Sequence, residues 1–269
     1  MRSRQIHYLR PQEVLAEIGR FPIVYWPLGL IEWHGPHLPL GVDAFNAEAV
    51  ALRAAEAGGG LVMPPTYFGT ERERSSEMLD WLGFAGDEWV IGMDFPANSL
   101  PSMYAYEDHF ALVVRENLRM MANMGFKIIV AITGHAASNQ IDTLERVAAE
   151  FNAAGEVQVL VALPFVANEE GILEVGHASR IETSVMLALQ PETVQLEVLP
   201  PLPEPLKNTE WAIVDYPTFL GRPTKERTVS EGDDPRRATV ESGQEMLALA
   251  AAQVLEKVRE VYSAYHGRL

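Results

Sequence analysis

Leu28-Gly29-Leu30-Ile31-Glu32-Trp33-His34-Gly35-Pro36-His37-Leu38-Pro39-Leu40-Gly41-Val42-Asp43 is the stretch from which both fold and chemistry are read. It continues an apolar run, 23–31, with the pattern of a buried strand. Side chains at i and i+2 of an extended segment point the same way, so Glu32 and His34 aim at one point. Gly35, Pro36, Pro39 and Gly41 then bend the backbone and allow Asp43 to return to that point. Two carboxylates and an imidazole converging at a strand end suit a hydrolytic metal ion. Plainer readings stand beside this one. A Glu-x-His triplet also serves as a polar strand end, and Asp43 also suits the N-cap of the alanine-rich helix expected over 43–57.

Working outward, strand-like and helix-like patterns alternate. Gly58-Gly59-Gly60 closes the 43–57 helix, and 61–67 reads as a short strand. Leu112, Val114, Leu118 and Met121 mark a helix over 108–124 that stops at Gly125. The β-branched run 127–133 predicts a strand, 141–154 an amphipathic helix and 157–165 a further buried strand. A helix begins near Glu182 and a long one covers 239–262. Continuous apolar strands alternating with helices predict an α/β fold with a mainly parallel sheet covered on both faces. One domain over 1–269 is expected, with an irregular insertion at about 70–102 and a proline-rich excursion at about 199–237; long irregular segments of this kind are often functional.

Two later clusters strengthen the first. His135, in Gly134-His135-Ala136-Ala137-Ser138-Asn139, follows the 127–133 strand, and open parallel sheets bind ligands beyond the carboxyl ends of their strands. A loop histidine bonded to backbone is the alternative. Gly176-His177-Ala178-Ser179-Arg180-Ile181-Glu182-Thr183-Ser184 precedes an apolar helix. Its Ser179-x-x-Glu182 spacing is also that of a capping box, in which Glu182 would only satisfy backbone donors.

The 269 residues hold no cysteine, which excludes disulfides and thiolate ligands and leaves His, Asp and Glu to bind any metal. A formal net charge of −16 would repel a phosphate backbone and argues against nucleic acid as a partner. No apolar run is long enough to cross a bilayer, and residues 1–10 lack the apolar core of a secretory signal, so a cytoplasmic protein is expected.

Together these residues resemble the creatininase (creatinine amidohydrolase) family: Gly29 to Asp43 in its first motif, Gly134-His135 in its second and Gly176-His177 through Glu182-Thr183-Ser184 in its third. Gly232-Asp233-Asp234-Pro235 and Ala238-Thr239 resemble a late family stretch. The resemblance implies a three-layer α/β/α fold, a homo-oligomer, often a hexamer, and two divalent metal ions of zinc, manganese or iron. By that resemblance Glu32, Asp43 and His135 hold one ion, and His34 and Asp43 hold the second, with Asp43 bridging. His177 would lie near the substrate and transfer a proton. Creatininase has a glutamate where this chain has Ala137, so the second ion would need Glu182, water or substrate. Glu182 would complete that shell or orient His177. The family's serine–acid–histidine and F-P-G-T stretches correspond here to Gly69 through Ser75 and to Phe95-Pro96-Ala97-Asn98. Creatinine is therefore not the expected substrate. Residues 71–74 read either as a solvated charged loop or as a place from which Arg72 or Arg74 grips a polar or anionic substrate, with Tyr67 and Thr70 nearby.

The expected function is hydrolysis of a cyclic amide or other non-peptide C–N bond in a small polar molecule, by hydroxide held between the two ions. One alternative is ring opening of a cyclic ketone or diketone, as in the catabolism of inositol-like polyols. Another, of a different class, is a non-catalytic, metal-stabilised ligand-binding protein.

Overall fold

The computed structural model describes residues 3–82, 89–95, 100–166, 176–209, 212–213 and 227–266. In chain order the elements that matter are α1 (Pro11–Arg20), β1 (Ile23–Gly29), α2 (Val42–Gly58), β2 (Leu61–Val62), β3 (Thr66–Tyr67), β4 (Gly69–Thr70), α3 (Ser76–Leu82), β5 (Tyr104–Ala105), α4 (Glu107–Asn123), β6 (Ile128–Thr133), α5 (Ser138–Ala154), β7 (Gln158–Ala162), α6 (Arg180–Leu189) and, after a small antiparallel sheet, α7 (Val240–His266). The main sheet has the order β2-β1-β6-β7, all pairs parallel, with β3 paired to the carboxyl end of β1.

Strand alternation builds the two cores. Ile23, Tyr25, Ile128, Val130 and Ile132 face one way and pack on Ala47, Val50, Ala51 and Ala54 of α2 and on Leu247 and Val254 of α7. Val24, Trp26, Leu28, Ile129 and Ala131 face the other way and pack on Phe110, Val114 and Leu118 of α4 and on Leu144 and Val147 of α5. The result is a three-layer α/β/α fold, as the unbroken apolar runs of β1 and β6 require. No helix among the described residues is long and apolar enough to cross a membrane.

Some boundaries differ from the sequence pattern, for physical reasons. The strand expected over 61–67 is two short pieces, β2 and β3, because Pro64 and Pro65 between them have no N–H to give a ladder. β7 ends at Ala162, short of Pro164. The helix expected from Asp43 has Gly41 as its N-cap, which places Asp43 inside the first turn and removes the capping role considered for it. The helix expected from 141 starts at Ser138, immediately after the second-motif residues. Within the 70–102 insertion, β4, α3 and bridges from Ile91 to Glu73 and Asp94 are formed; 83–88 and 96–99, including most of Phe95-Pro96-Ala97-Asn98, lie outside the described residues. So do 210–211 and 214–226 of the proline-rich excursion.

Two glycines decide where α2 begins. A Cβ on Gly29 would stand 2.3 Å from the Ala44 nitrogen, and one on Gly134 would stand 2.0 Å from the Asp43 carbonyl oxygen. The first turn of α2 therefore lies directly on bare backbone at the ends of β1 and β6. Gly134→Ala forces backbone against backbone, and we expect it to destabilise the fold by about 1–3 kcal/mol. Urea unfolding checks this; wild-type stability would mean that α2 moves aside freely.

Candidate metal centre

The carboxyl ends of β1 and β6 and the starts of α2 and α6 meet at one buried cluster. The 32–40 loop closes on itself through the Glu32 N–H, which donates to Leu40 O at 3.0 Å. Gly35 turns it with φ +72°. His34 is fully buried, and its Nε2 lies 3.2 Å from Asp43 Oδ1 and 3.9 Å from both Glu32 Oε2 and Glu182 Oε1. On the other side His135 Nδ1 lies 3.2 Å from Glu32 Oε2 and 3.7 Å from Asp43 Oδ2. Three three-residue groups have candidate ligand atoms within 4.8 Å of one another: Glu32–His34–His177 and, sharing a carboxylate, the pair Glu32–Asp43–His135 and His34–Asp43–Glu182. Asp43 belongs to both, one oxygen toward each histidine.

These residues fit a cation. His34 Nδ1 donates to Glu32 O at 3.1 Å, which leaves the Nε2 lone pair facing the carboxylates. His34 Nε2, Asp43 Oδ2 and His135 Nε2 are buried with no hydrogen-bond partner. Buried polar atoms are rarely left so, because the lost solvation goes uncompensated. In the ion-free protein, protons take the place of positive charge. Burial alone would push the His34 imidazole down, but the charges of Asp43, Glu182 and Glu32 reverse this and raise it to about 10. His135 is likewise raised to about 9, where burial is outweighed by Glu32, Asp43 and Glu71. Glu32, opposed by burial but paired with His135, is held far below the ordinary carboxylate range. Burial raises Glu182 to about 7.

Glu182 holds a backbone donor at the start of α6, but not the one a capping box would give it, and turns its other oxygen toward His34. Ser179 is the N-cap of α6 and accepts from the Ile181 N–H at 3.2 Å. Glu182 Oε2 accepts from the Ala178 N–H at 2.5 Å, one residue before the cap, while Oε1 faces His34. Ala178 takes the left-handed φ of +53° that allows this. Ala137 offers only a methyl to the cavity. His177 donates from Nε2 to Trp33 O at 2.6 Å, and its ring centre is 4.3 Å from that of His34. Burial, then the charge on His34, lower it to about 4, so it stands neutral at pH 7. His37, to which the sequence reading gave no role, bonds Thr183 Oγ1 at 3.1 Å and ties the first motif to α6.

A cavity of about 530 Å³ opens on this cluster, with Glu32, Asp43, His135, His177 and Glu182 on one side and residues 71–75, Gly92 and Met93 on the other. The expected substrate-binding residues stand differently toward it. Arg72 lines the cavity, but its exposed guanidinium forks onto Glu107 at 3.0–3.3 Å. Arg74 also lines it, and directs Nε and Nη2 onto Gly92 O at 2.9 and 2.7 Å. Each guanidinium thus holds one acceptor of the protein through Nε and Nη2 while its residue lines the cavity. Tyr67 is not among the lining residues. β3 lies beside β1 and sends its ring over Gly41, toward the charge of Glu48. The Thr70 hydroxyl donates to Ala105 O and its N–H to Gln140, so it is buried in a structural network. Two residues that the sequence reading passed over stand close instead. Tyr104 donates to Glu32 Oε1 at 2.5 Å, and Glu71 Oε2 lies 3.9 Å from His135 Nε2. Glu71 carries a weak signal in its charged loop; Tyr104, in a two-residue strand, carries none.

The family model described as creatininase, creatinine amidohydrolase, matches residues 7–258. The chain is 25% identical over 259 residues to the creatinine amidohydrolase of Pseudomonas putida, covering 89% of this chain and 90% of the relative. It is 27% identical over 205 residues to the mycofactocin precursor peptide peptidase of Mycobacterium ulcerans, covering 70% of each. Among solved structures, a mutant creatininase of Zn-Zn type matches with a TM-score of 0.68 at 25% identity, over 97% of this chain and 98% of that one. A manganese creatininase shares the fold at a TM-score of 0.66 and 24% identity, over 96% and 98%.

The protonated histidines generate a prediction. Their folded-state values near 10 and 9 lie above the ordinary imidazole value, so protons compete with a cation until pH passes through that window. Zinc uptake by the ion-free protein at pH 7 should release protons and tighten as pH rises toward 9. The same sign applies to stability: the contribution of these two groups to the ion-free fold is complete below the ordinary imidazole value and is lost as pH rises through 9 to 10. Titration calorimetry in buffers of different ionisation enthalpy measures the release; zinc binding without it would contradict the charge assignment.

Proposed function

Because the chain belongs to the creatininase family of metal-dependent, amidohydrolase-type hydrolases, we propose that it cleaves a C–N bond beside a carbonyl in a small polar substrate, most simply a cyclic amide. The observation that carries this reading is the pair of buried three-residue groups sharing Asp43, with unpartnered atoms on His34, Asp43 and His135. Glu32, Asp43 and His135 would hold one divalent ion, and His34, Asp43 and Glu182 the other. Zinc and manganese both suit such imidazole and carboxylate donors. Two such ions, when bound, polarise a carbonyl and bring water deprotonation near neutral pH.

The chain's own residues supply the rest. A neutral His177 whose Nε2–H is anchored on Trp33 O has Nδ1 left as a base. It can accept a proton from the attacking water and return it to the departing nitrogen, which would otherwise leave as a poor anion. Glu182 serves the second ion's shell, since its free oxygen faces His34 and its other oxygen is held by Ala178. The cavity lies within the size range of small-molecule sites. Ring opening of a polyol-derived ketone is the second reading, and the polar residues 71–75 on the cavity wall are what would favour it. The relative named as a peptide peptidase makes short peptides a class to include in any screen.

Three variants separate the roles. Asp43→Ala should empty both ion positions, and His135→Ala should lower metal content while leaving the His34 group intact, both measured by elemental analysis. His177→Ala should keep its metal and lose about 10²–10⁴ in kcat, assayed on lactams, N-formyl compounds, short peptides and cyclic ketones. Wild-type metal content in Asp43→Ala would overturn the site, and wild-type turnover in His177→Ala would overturn the proton-transfer role.

A further inference from the structure

We infer that Tyr104 is a positioning residue: with the segment formed by residues 91–95 and 100–103 it clamps Glu32, and through Glu32 sets how tightly the Glu32–Asp43–His135 group holds its cation. The inference rests on the metal-centre reading above. The Tyr104 hydroxyl accepts from the Met93 N–H at 3.0 Å and donates to Glu32 Oε1 at 2.5 Å. With Oε1 held, Oε2 is left facing His135 Nδ1 at 3.2 Å and His34 Nε2 at 3.9 Å.

The neighbouring bonds show that the segment grips this loop at successive residues. The Met103 N–H donates to Ile31 O at 2.8 Å, and Ser102 Oγ accepts from the Trp33 N–H at 3.2 Å. Ser102 is itself bound through its N–H to Asp94 Oδ1 at 2.8 Å. Tyr104 alone among these contacts reaches a candidate ligand side chain. Glu32 has several rotatable bonds, and a carboxylate that must be ordered at the moment of binding gives up part of the binding free energy in lost rotamer freedom. Fixing its rotamer beforehand removes that cost, which is how partners behind a ligand raise metal affinity.

The clamp and the cavity wall are one piece. Gly92 and Met93 line the cavity. Gly92 has φ +53°, and a Cβ there would lie 2.5 Å from the Tyr104 hydroxyl oxygen. The turn that walls the cavity thus also seats the hydroxyl that holds Glu32.

The test uses the full chain stripped with EDTA and zinc alone as the probe, with affinity measured by competition against a chelating dye. Tyr104→Phe keeps the ring beside His135 and removes only the hydroxyl; zinc affinity of the Glu32 group should fall about 10–100-fold. Thr70→Val, which removes hydroxyl bonds to Ala105 O and Asn139 beside this strand and none to the Tyr104 hydroxyl, should bind close to wild type. Should Tyr104→Phe fail to fold, Gly92→Ala retains the hydroxyl but displaces it, and should weaken zinc in the same direction. Wild-type affinity in Tyr104→Phe, or in Gly92→Ala where that variant carries the test, overturns the inference. So does an equal loss in Thr70→Val, which would make the effect a general loosening of this edge of the site. If the wild type binds zinc no better than Asp43→Ala, the metal-centre reading fails first, and this inference with it.

Discussion

The first turn of α2 rests on the exposed backbones of Gly29 and Gly134, and the rest of the site depends on that contact. β1 and β6 lie side by side in register from Ile23↔Ile128 to Leu28↔Thr133, so both strands end at the same level. A side chain at either glycine would hold the helix off, because the atoms it would meet belong to Ala44 and Asp43 backbone and have no rotamer by which to yield. With the helix seated, Asp43 stands between the loop that carries Glu32 and His34 and the loop that carries His135. A shared carboxylate is then a consequence of packing as well as of side-chain choice. The Thr133–Gln140–Thr70–Ala105 chain of hydrogen bonds, at 2.8 Å each, holds the outer edge of this junction and ties β6, α5, β4 and β5 into one frame.

The junction concentrates charge that the fold cannot hold unaided. Glu32, Asp43 and Glu182 are each at most 4% exposed, and like charges so close, with so little water, demand a counter-charge. In the ion-free protein the imidazoles of His34 and His135 provide it by keeping protons that an ordinary histidine would lose. That arrangement leaves polar atoms without partners, whereas a divalent ion in each group would engage those of His34 and Asp43 and free the histidines of their protons. His37 and His177 follow the opposite course. Buried beside a charged His34, both are driven to about 4 and remain neutral. One cluster therefore holds two kinds of histidine, distinguished by whether a carboxylate or another imidazole is the nearer neighbour.

Much of this was legible in the residues, and the remainder was hidden for identifiable reasons. Strand ends announce themselves through apolar runs broken by glycine, so Glu32, His34, Asp43 and His135 were located by the strands they follow. The two faces of β1 and β6 followed from runs with no polar residue to mark an outside. The partners of Arg72 and Arg74 were not legible, because a charged loop does not display them: Glu107 lies 35 residues away from Arg72, and a backbone carbonyl such as that of Gly92 has no signature at all. Tyr67 was placed by its nearness in sequence to Thr70, but β3 pairs beside β1 and turns it toward α2. Tyr104 bonds Glu32 across 72 residues from a strand of two, too short for any periodicity to reveal which face it presents.

Ala137 in the second-motif loop carries no ligand atom, and under the proposed reading the second ion would draw on Glu182 instead. The Glu32–Asp43–His135 group stands on the sheet and the start of α2. Glu182, which completes the other group, stands on the first turn of α6, held there by the Ala178 N–H. α6 in turn is fastened to α7, where a Cβ on Gly243 would lie 1.9 Å from Ser184 O, and the Arg180 N–H donates to Asp233 O at 2.8 Å. A loop ligand next to His135 would have placed both groups on β6. Drawing the ligand from α6 makes the second group depend on the packing of the C-terminal helices against the sheet. The motif around Asp233 and Asp234, far from the cluster in sequence, acquires a reason in the same way: it brackets the helix start from which Glu182 reaches His34.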